Sequence, residues 1–230
     1  MKIAIMGAMP EEIQPLLEIF GEYSVEEFGN NKYYTTNYKG LDIVLAYSKI
    51  GKVFSTLTAT TLIEKYGCEK LLFSGVAGGI NPELKIGDLI VASKLAQHDL
   101  DITAFGHPYG YVPEGAVYID TDKKLNDIAK KVAEKQGIKL IEGVIATGDQ
   151  FIANVERKNW IQETFDADAL EMEGGSVAVV CDALNIPFCI LRAISDSADG
   201  EADVSFDEFL EHSAKQSANF LVSMLDELKL

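Results

Sequence analysis

Acidic side chains recur at the ends of apolar runs, where a catalytic edge would place them. Met6-Gly-Ala-Met-Pro-Glu-Glu12 sets Glu11 and Glu12 behind the first run. Ala169-Leu-Glu-Met-Glu-Gly-Gly175 closes another in Glu171 and Glu173. Leu191-Arg-Ala-Ile-Ser-Asp-Ser197 closes a third in Ser195 and Asp196. Each acid also has a plain reading. Pro10 suits a first helical turn, so Glu11 and Glu12 could complement a helix dipole. Glu171 and Glu173 could be solvated acids at a helix start, and Asp196 an N-cap. The chemical reading rests on desolvation. Residues two apart on a strand share a face, so Glu171 and Glu173 would crowd like charges, raise their pKa values and need an offsetting partner. Asp196, at the edge of a doubly buried strand, would hold a proton near neutrality and could donate it. A proton donor and a water-activating carboxylate are what glycosidic cleavage through an oxocarbenium-like transition state requires; the same need extends to a ribosyl–purine bond.

The elements that must position these acids read as alternating strands and helices. Strand patterns cover Lys2–Met6, Lys70–Val76, Asp88–Leu95, Glu142–Thr147, Ala167–Glu171 and Pro187–Ile194, with a hairpin at Lys32–Tyr38 and Leu41–Ser48 turning on Lys39-Gly40. Helical patterns cover Pro10–Phe20, Val53–Tyr66, Asp122–Gln136, Val155–Thr164, Gly174–Leu184 and Phe206–Leu228, and Gly137 is placed to close the third. The expectation is an α/β fold, a single domain over residues 1–230, with a central mixed sheet flanked by helices on both faces. Ligands of such sheets collect at the carboxyl ends of the strands. The acids fall there, as does Ser74-Gly-Val-Ala-Gly-Gly79, read as a Gly-rich turn that lets a ring or a ribose approach the backbone. The segment 98–118, rich in aromatics, Gly and Pro, breaks the alternation and reads as a lid, binding or interface loop.

Composition narrows the function. The 230 residues are 47% hydrophobic, enough for a sizeable core, and 24% charged, an ordinary globular value. A net charge of −16 argues against a nucleic-acid partner or an anionic membrane surface, and no apolar run is long enough for a membrane helix. Cys68, Cys181 and Cys189 are odd in number and read as buried reduced thiols. Met1 leads straight into a strand pattern, so the expected compartment is the cytoplasm. His98, His107 and His212 lack metal-ligand spacing, and no metal or cofactor is expected. A dehydrogenase reading fails because the first turn lacks the three glycines that admit a pyrophosphate.

Together with Ser48-Lys-Ile-Gly-Lys52, Thr147-Gly-Asp-Gln-Phe-Ile152 and Ser205-Phe-Asp-Glu-Phe209, these motifs resemble the bacterial 5′-methylthioadenosine/S-adenosylhomocysteine nucleosidases of the nucleoside phosphorylase superfamily, along essentially the whole chain. The resemblance implies a cofactor-free hydrolase that releases adenine from these nucleosides. Some members also cleave 6-amino-6-deoxyfutalosine, a menaquinone precursor. It implies that Asp196 protonates the leaving purine with Ser195 orienting it, and that Glu12 holds the attacking water. Glu173 would bind the ribose 2′-hydroxyl over Met172, with Glu171 also in the substrate-binding set. Phe151 would stack on adenine, the Ile152 backbone would read its edge, Phe206 would line the pocket, and Ala77 and Gly78 would border the ribose. Ile102, Phe105 and Pro113 match a loop that closes the 5′ pocket of the neighbouring subunit, which implies a homodimer. Val76 stands where the family carries Ser.

Two other readings stay open. A phosphorylase would need a phosphate site, for which Arg is the usual donor. The chain has only Arg157 and Arg192, and none before residue 157. A non-catalytic nucleoside sensor would have no need of water activation, which the set Glu12, Glu173 and Asp196 would supply.

Overall fold

The structure, a computed structural model, describes residues 1–198 and 202–228; the side chains of Val204 and Ser205 also lie outside the described residues, so the Ser205 end of the last motif is not placed. In chain order the strands are β1 (Lys2–Gly7), β2 (Ser24–Phe28), β3 (Asn31–Tyr38), β4 (Leu41–Tyr47), β5 (Lys70–Gly79), β6 (Leu89–Gln97), β7 (Ile119–Asp120), β8 (Leu140–Thr147), β9 (Ala169–Glu171) and β10 (Phe188–Asp196). The helices are α1 (Pro10–Phe20), α2 (Lys52–Glu64), α3 (Lys123–Gln136), α4 (Val155–Phe165), α5 (Gly174–Ala183) and α6 (Ala202–Leu228).

One mixed sheet organises the chain, as the alternation predicts. β1 lies between β4 and β5, parallel to both, and its residues split between two cores. Ala4 and Met6 face the core under α2 and α5; Ile3 and Ile5 face the core under α1, α3 and α6. A strand buried on both faces has no polar side to show, which is why its sequence is continuously apolar. The sheet also does something that periodicity does not reveal. β10 pairs with β5 and β6, β6 with β8, β8 with β9, and β9 returns to β5. Five strands thus close into a ring, and the carboxyl ends of β5, β8, β9 and β10 come together.

Local chemistry sets the helix boundaries. Asp122 caps α3 by accepting Leu125 N at 2.9 Å, and Gly137 closes it at φ 64°. Asn154 caps α4 by accepting Arg157 N at 2.9 Å. Two expectations need correction. Ser74–Gly79 is not a turn: β5 runs through it to Gly79, because β10 and β9 supply partners that far. The edge strand β2 and the two-residue β7 were not foreseen; β2 is exposed throughout and lacks the alternation that marks a half-buried strand. Among the described residues no helix is long and apolar enough to cross a membrane.

Candidate active site

Glu12, Glu173 and Asp196 meet on one cavity of about 310 Å³ at the carboxyl edge of the sheet. The cavity is also lined by Val76, Ala77 and Gly78 from β5, by Glu171 at the end of β9 and Met172 after it, by Ser195, and by the aromatic pair Phe151 and Phe206. A recess of about 40 Å³ shares Gly78, Phe151, Met172 and Asp196 with it and adds Gln150, Ile152 and Ala198. Among the described residues that line it there is no Lys, Arg or His.

Each acid is fixed by backbone N–H groups. Glu12 sits in the first turn of α1 and reaches back to the helix start. One of its oxygens accepts from Ala8 N, and from Met9 N at 3.2 Å; the other accepts from Val76 N at 3.1 Å. The capping reading and the cavity reading therefore describe one carboxylate. Burial raises the Glu12 pKa, against the opposing pull of Arg192 and of the three N–H groups. Glu11, its neighbour, is exposed and takes no part. Asp196 ends β10; its Oδ2 accepts from Ser195 Oγ at 2.9 Å and its Oδ1 from Ala198 N at 2.8 Å. Glu173 is the residue that starts α5, and Gly51 N donates to its Oε1 at 2.8 Å. Burial, then the nearby Glu171 carboxylate, push its pKa up to about 8, with Arg192 working the other way.

The glycines of β5 make room for these acids rather than for a ligand ring. A Cβ on Gly75 would lie 2.6 Å from Glu12 Oε1, and one on Gly78 would lie 2.8 Å from Asp196 Oδ1. A side chain at either position would push a carboxylate off its backbone donors. Val76 needs no hydroxyl for its link to Glu12, since the contact runs through its backbone nitrogen.

The offsetting partner that crowded acids require is Arg192. It is wholly buried, pairs with Glu171 Oε2 at 2.7 Å, and lies over the Phe73 ring at 4.1 Å. Glu171 was expected among the substrate contacts. Its carboxylate borders the cavity but is taken up by Arg192, by the Thr147 hydroxyl, and by the N–H groups of Glu173 (3.1 Å) and Gly174 (2.6 Å). Composition flagged Arg192 only as a rare residue; its role depends on a partner 21 positions away. Arg157 is spent elsewhere, over the Trp160 ring and on His98 O. Ala8, Met9, Ile50 and Leu170 also line the cavity; as small or apolar residues they carry no signal in the sequence. Ile102, Phe105 and Pro113 are not among the lining residues of this chain's cavity, and Phe105 is 81% exposed.

The sequence profile of the phosphorylase superfamily matches residues 2–226. The chain belongs to that superfamily. Within it, the chain lies among nucleosidases. It is 59% identical over 228 residues to the aminodeoxyfutalosine nucleosidase of Campylobacter jejuni, covering 99% of this chain and 100% of the relative. The solved structure of Helicobacter pylori futalosine hydrolase superposes with a TM-score of 0.97 at 54% identity, covering 98% of this chain and 97% of that one. A Helicobacter pylori 5′-methylthioadenosine/S-adenosylhomocysteine nucleosidase, solved with butyl-thio-DADMe-Immucillin-A, matches with the same TM-score of 0.97 and 54% identity over 98% of each chain. Both superpositions span nearly the whole of each chain.

Proposed function

We propose that this chain hydrolyses the N-glycosidic bond of 5′-methylthioadenosine, S-adenosylhomocysteine and aminodeoxyfutalosine, releasing adenine. One observation carries the reading: four buried carboxylates, Glu12, Glu171, Glu173 and Asp196, border a single cavity, Glu171 paired with Arg192, and no cationic side chain lines it among the described residues. Such a wall favours the positive charge that develops on the ribosyl ring as the bond to the base breaks. It disfavours a phosphate dianion as the nucleophile, since the chain's two arginines are engaged elsewhere. The names borne by the relatives, one set for methylthioadenosine and adenosylhomocysteine and one for futalosine derivatives, support a breadth of 5′ substituents.

In this reading Asp196, oriented by Ser195, gives its proton to the leaving purine. Glu12, made more basic by burial and held by three N–H groups, positions and activates the water. Glu173 takes the ribose 2′-hydroxyl, with Met172 beneath the sugar and Ala77 and Gly78 at its border. Phe151 stacks on the adenine, the Ile152 backbone reads its edge, and Phe206 closes the wall. The Glu171 carboxylate serves by its bond to Arg192 and by fixing the N–H of Glu173.

The loop bearing Ile102, Phe105 and Pro113 reaches a second copy of the chain and completes that copy's 5′ pocket. An apolar stripe supports this homodimer: Ile50, Val53, Phe54 and Leu57, at helical spacing along the start of α2, are exposed, Val53 to 76%, and Phe105 is exposed as well. A monomer rarely leaves that much apolar surface together in water. The three free, buried thiols suit a reducing compartment, and we place the enzyme in the cytoplasm.

The test is adenine release from the three nucleosides, with and without phosphate. The expected result is release at a rate that phosphate does not change, with free ribose derivatives as products. The 5-substituted ribose 1-phosphate among the products would make it a phosphorylase, and tight binding without adenine release would make it a sensor.

A further inference from the structure

Glu173 owes its backbone hydrogen bond to Gly51, and Gly51 is held by a cluster whose members do not line the active-site cavity. Lys52 Nζ pairs with Asp99 Oδ1 at 2.6 Å, with the two side chains 20% and 14% exposed. The other Asp99 oxygen accepts from Asp149 N at 2.8 Å. Asp149 Oδ1 in turn accepts from Lys52 N at 2.8 Å. Three residues from three distant segments thus close a ring of contacts. Gly51 is wedged against it, at φ 99°, where a Cβ would lie 2.9 Å from Asp149 Oδ1. The same ring touches three functional segments. Gly51 leads to Glu173, Asp149 lies two residues before Phe151, and Asp99 is at the root of segment 98–118.

We propose that the Lys52–Asp99 pair is a positioning device that holds the Gly51 N–H on Glu173, so that the ribose grip depends on two residues that touch no substrate. The inference rests on the assignment of Glu173 to the ribose 2′-hydroxyl. Neither Lys52 nor Asp99 lines the cavity, so their effect passes through position alone. Small displacements of a bound group are enough to matter; a shift of about 1 Å can cost up to roughly a hundredfold in rate.

Asp99→Asn keeps the shape and can still accept from Asp149 N, but loses the ion pair. The experiment compares kcat/KM of wild type and Asp99→Asn on 5′-methylthioadenosine and on its 2′-deoxy analogue, which lacks the hydroxyl that Glu173 would take. The expected result is a loss of about tenfold on the full substrate and less than about twofold on the analogue, because the deleted contact no longer exists to be disturbed. Lys52→Met provides an independent second variant and is expected to give the same pattern. An equal loss on both substrates, or no loss on the full one, overturns the inference. The wild-type ratio reports on the underlying assignment. If wild type cleaves the 2′-deoxy analogue as well as the full substrate, the Glu173 assignment falls and takes the inference with it. If wild type discriminates but Asp99→Asn does not narrow the difference, only the inference falls.

Discussion

The floor of the cavity and the segment 98–118 are built on opposite plans. On the floor, every acid has a backbone donor from its own chain: Ala8, Met9 and Val76 for Glu12, Gly51 for Glu173, Ala198 for Asp196. In the segment, aromatic side chains mostly meet each other or α4. His107 stacks on Tyr111 with ring centres 4.5 Å apart, and Tyr109 meets Trp160 edge-on at 5.0 Å. Of the segment, His98 and Gly110 are buried; the His98 N–H binds Thr147 O at 2.8 Å, the Gly110 N–H binds Leu100 O at 2.8 Å, and a Cβ on Gly110 would lie 2.7 Å from the Phe165 ring. Phe105 is left in solvent. The floor completes itself; the segment ends in apolar surface that one chain does not cover. Chemistry needs groups fixed before the substrate arrives; under the proposed function the segment would instead close over the 5′ substituent of a second copy.

That division of labour can be broken most decisively on the floor. Asp196→Asn should lower kcat about a thousandfold, with KM nearly unchanged and the melting temperature close to wild type, because the acid is lost while a carbonyl remains to accept from Ala198 N. A loss confined to KM would move Asp196 out of the chemistry. Next in size, Arg192→Met leaves Glu171 buried without its counter-charge. Unfolding in urea should show a loss of about 3 kcal/mol, since removing one partner of a buried pair strands the other. Retained stability would mean that Glu171 is satisfied by its hydrogen bonds alone.

The segment should respond differently. Phe105→Ala is expected to raise KM for 5′-methylthioadenosine about tenfold while kcat and the melting temperature hold, the signature of lost ground-state contact. A drop in kcat with KM unchanged would put the segment into the chemistry and erase the contrast.

The smallest effect sharpens the electrostatics of the floor. Glu173, ordinarily near 4.5, is held up to about 8 by burial and Glu171. The folded state therefore binds a proton that the unfolded state has released. Stability from this group is fully present below about pH 4.5 and is lost as pH rises through about 8. Urea titrations at pH 5 and pH 9 should show wild type losing roughly 1 kcal/mol or more that Glu173→Gln does not lose. Parallel curves for the two proteins would show that Glu173 is ionised throughout.

Much of the fold could be read in advance because its signals are local. The buried β1 declares itself as an apolar run, α3 by its stripe with Asp122 before and Gly137 after, and the hairpin by Lys39-Gly40 at positive φ. The candidate acids could likewise be picked out from their places at strand ends. The closed ring of β5, β10, β6, β8 and β9 could not, because pairing between β10 and β5 joins segments more than a hundred positions apart and leaves no periodic trace. The extent of β5 through Gly79 was hidden for the same reason. Glycines that signal a turn locally can equally be the residues that let two carboxylates lie against a strand.

The sequence by itself determined which residue types were present for the chemistry, the order of the elements that carry them, and the scarcity of arginine, the usual forked phosphate donor. Tertiary structure decided what each of the paired acids is bound to. Glu11 and Glu12 are adjacent, yet only Glu12 turns inward to Ala8, Met9 and Val76. Glu171 and Glu173 are two apart, yet Arg192 claims one and Gly51 steadies the other. The reason is physical. A carboxylate's pKa and freedom are set by desolvation and by donors within a few ångströms, and those neighbours are brought close by the closure of the sheet rather than by the run of the chain.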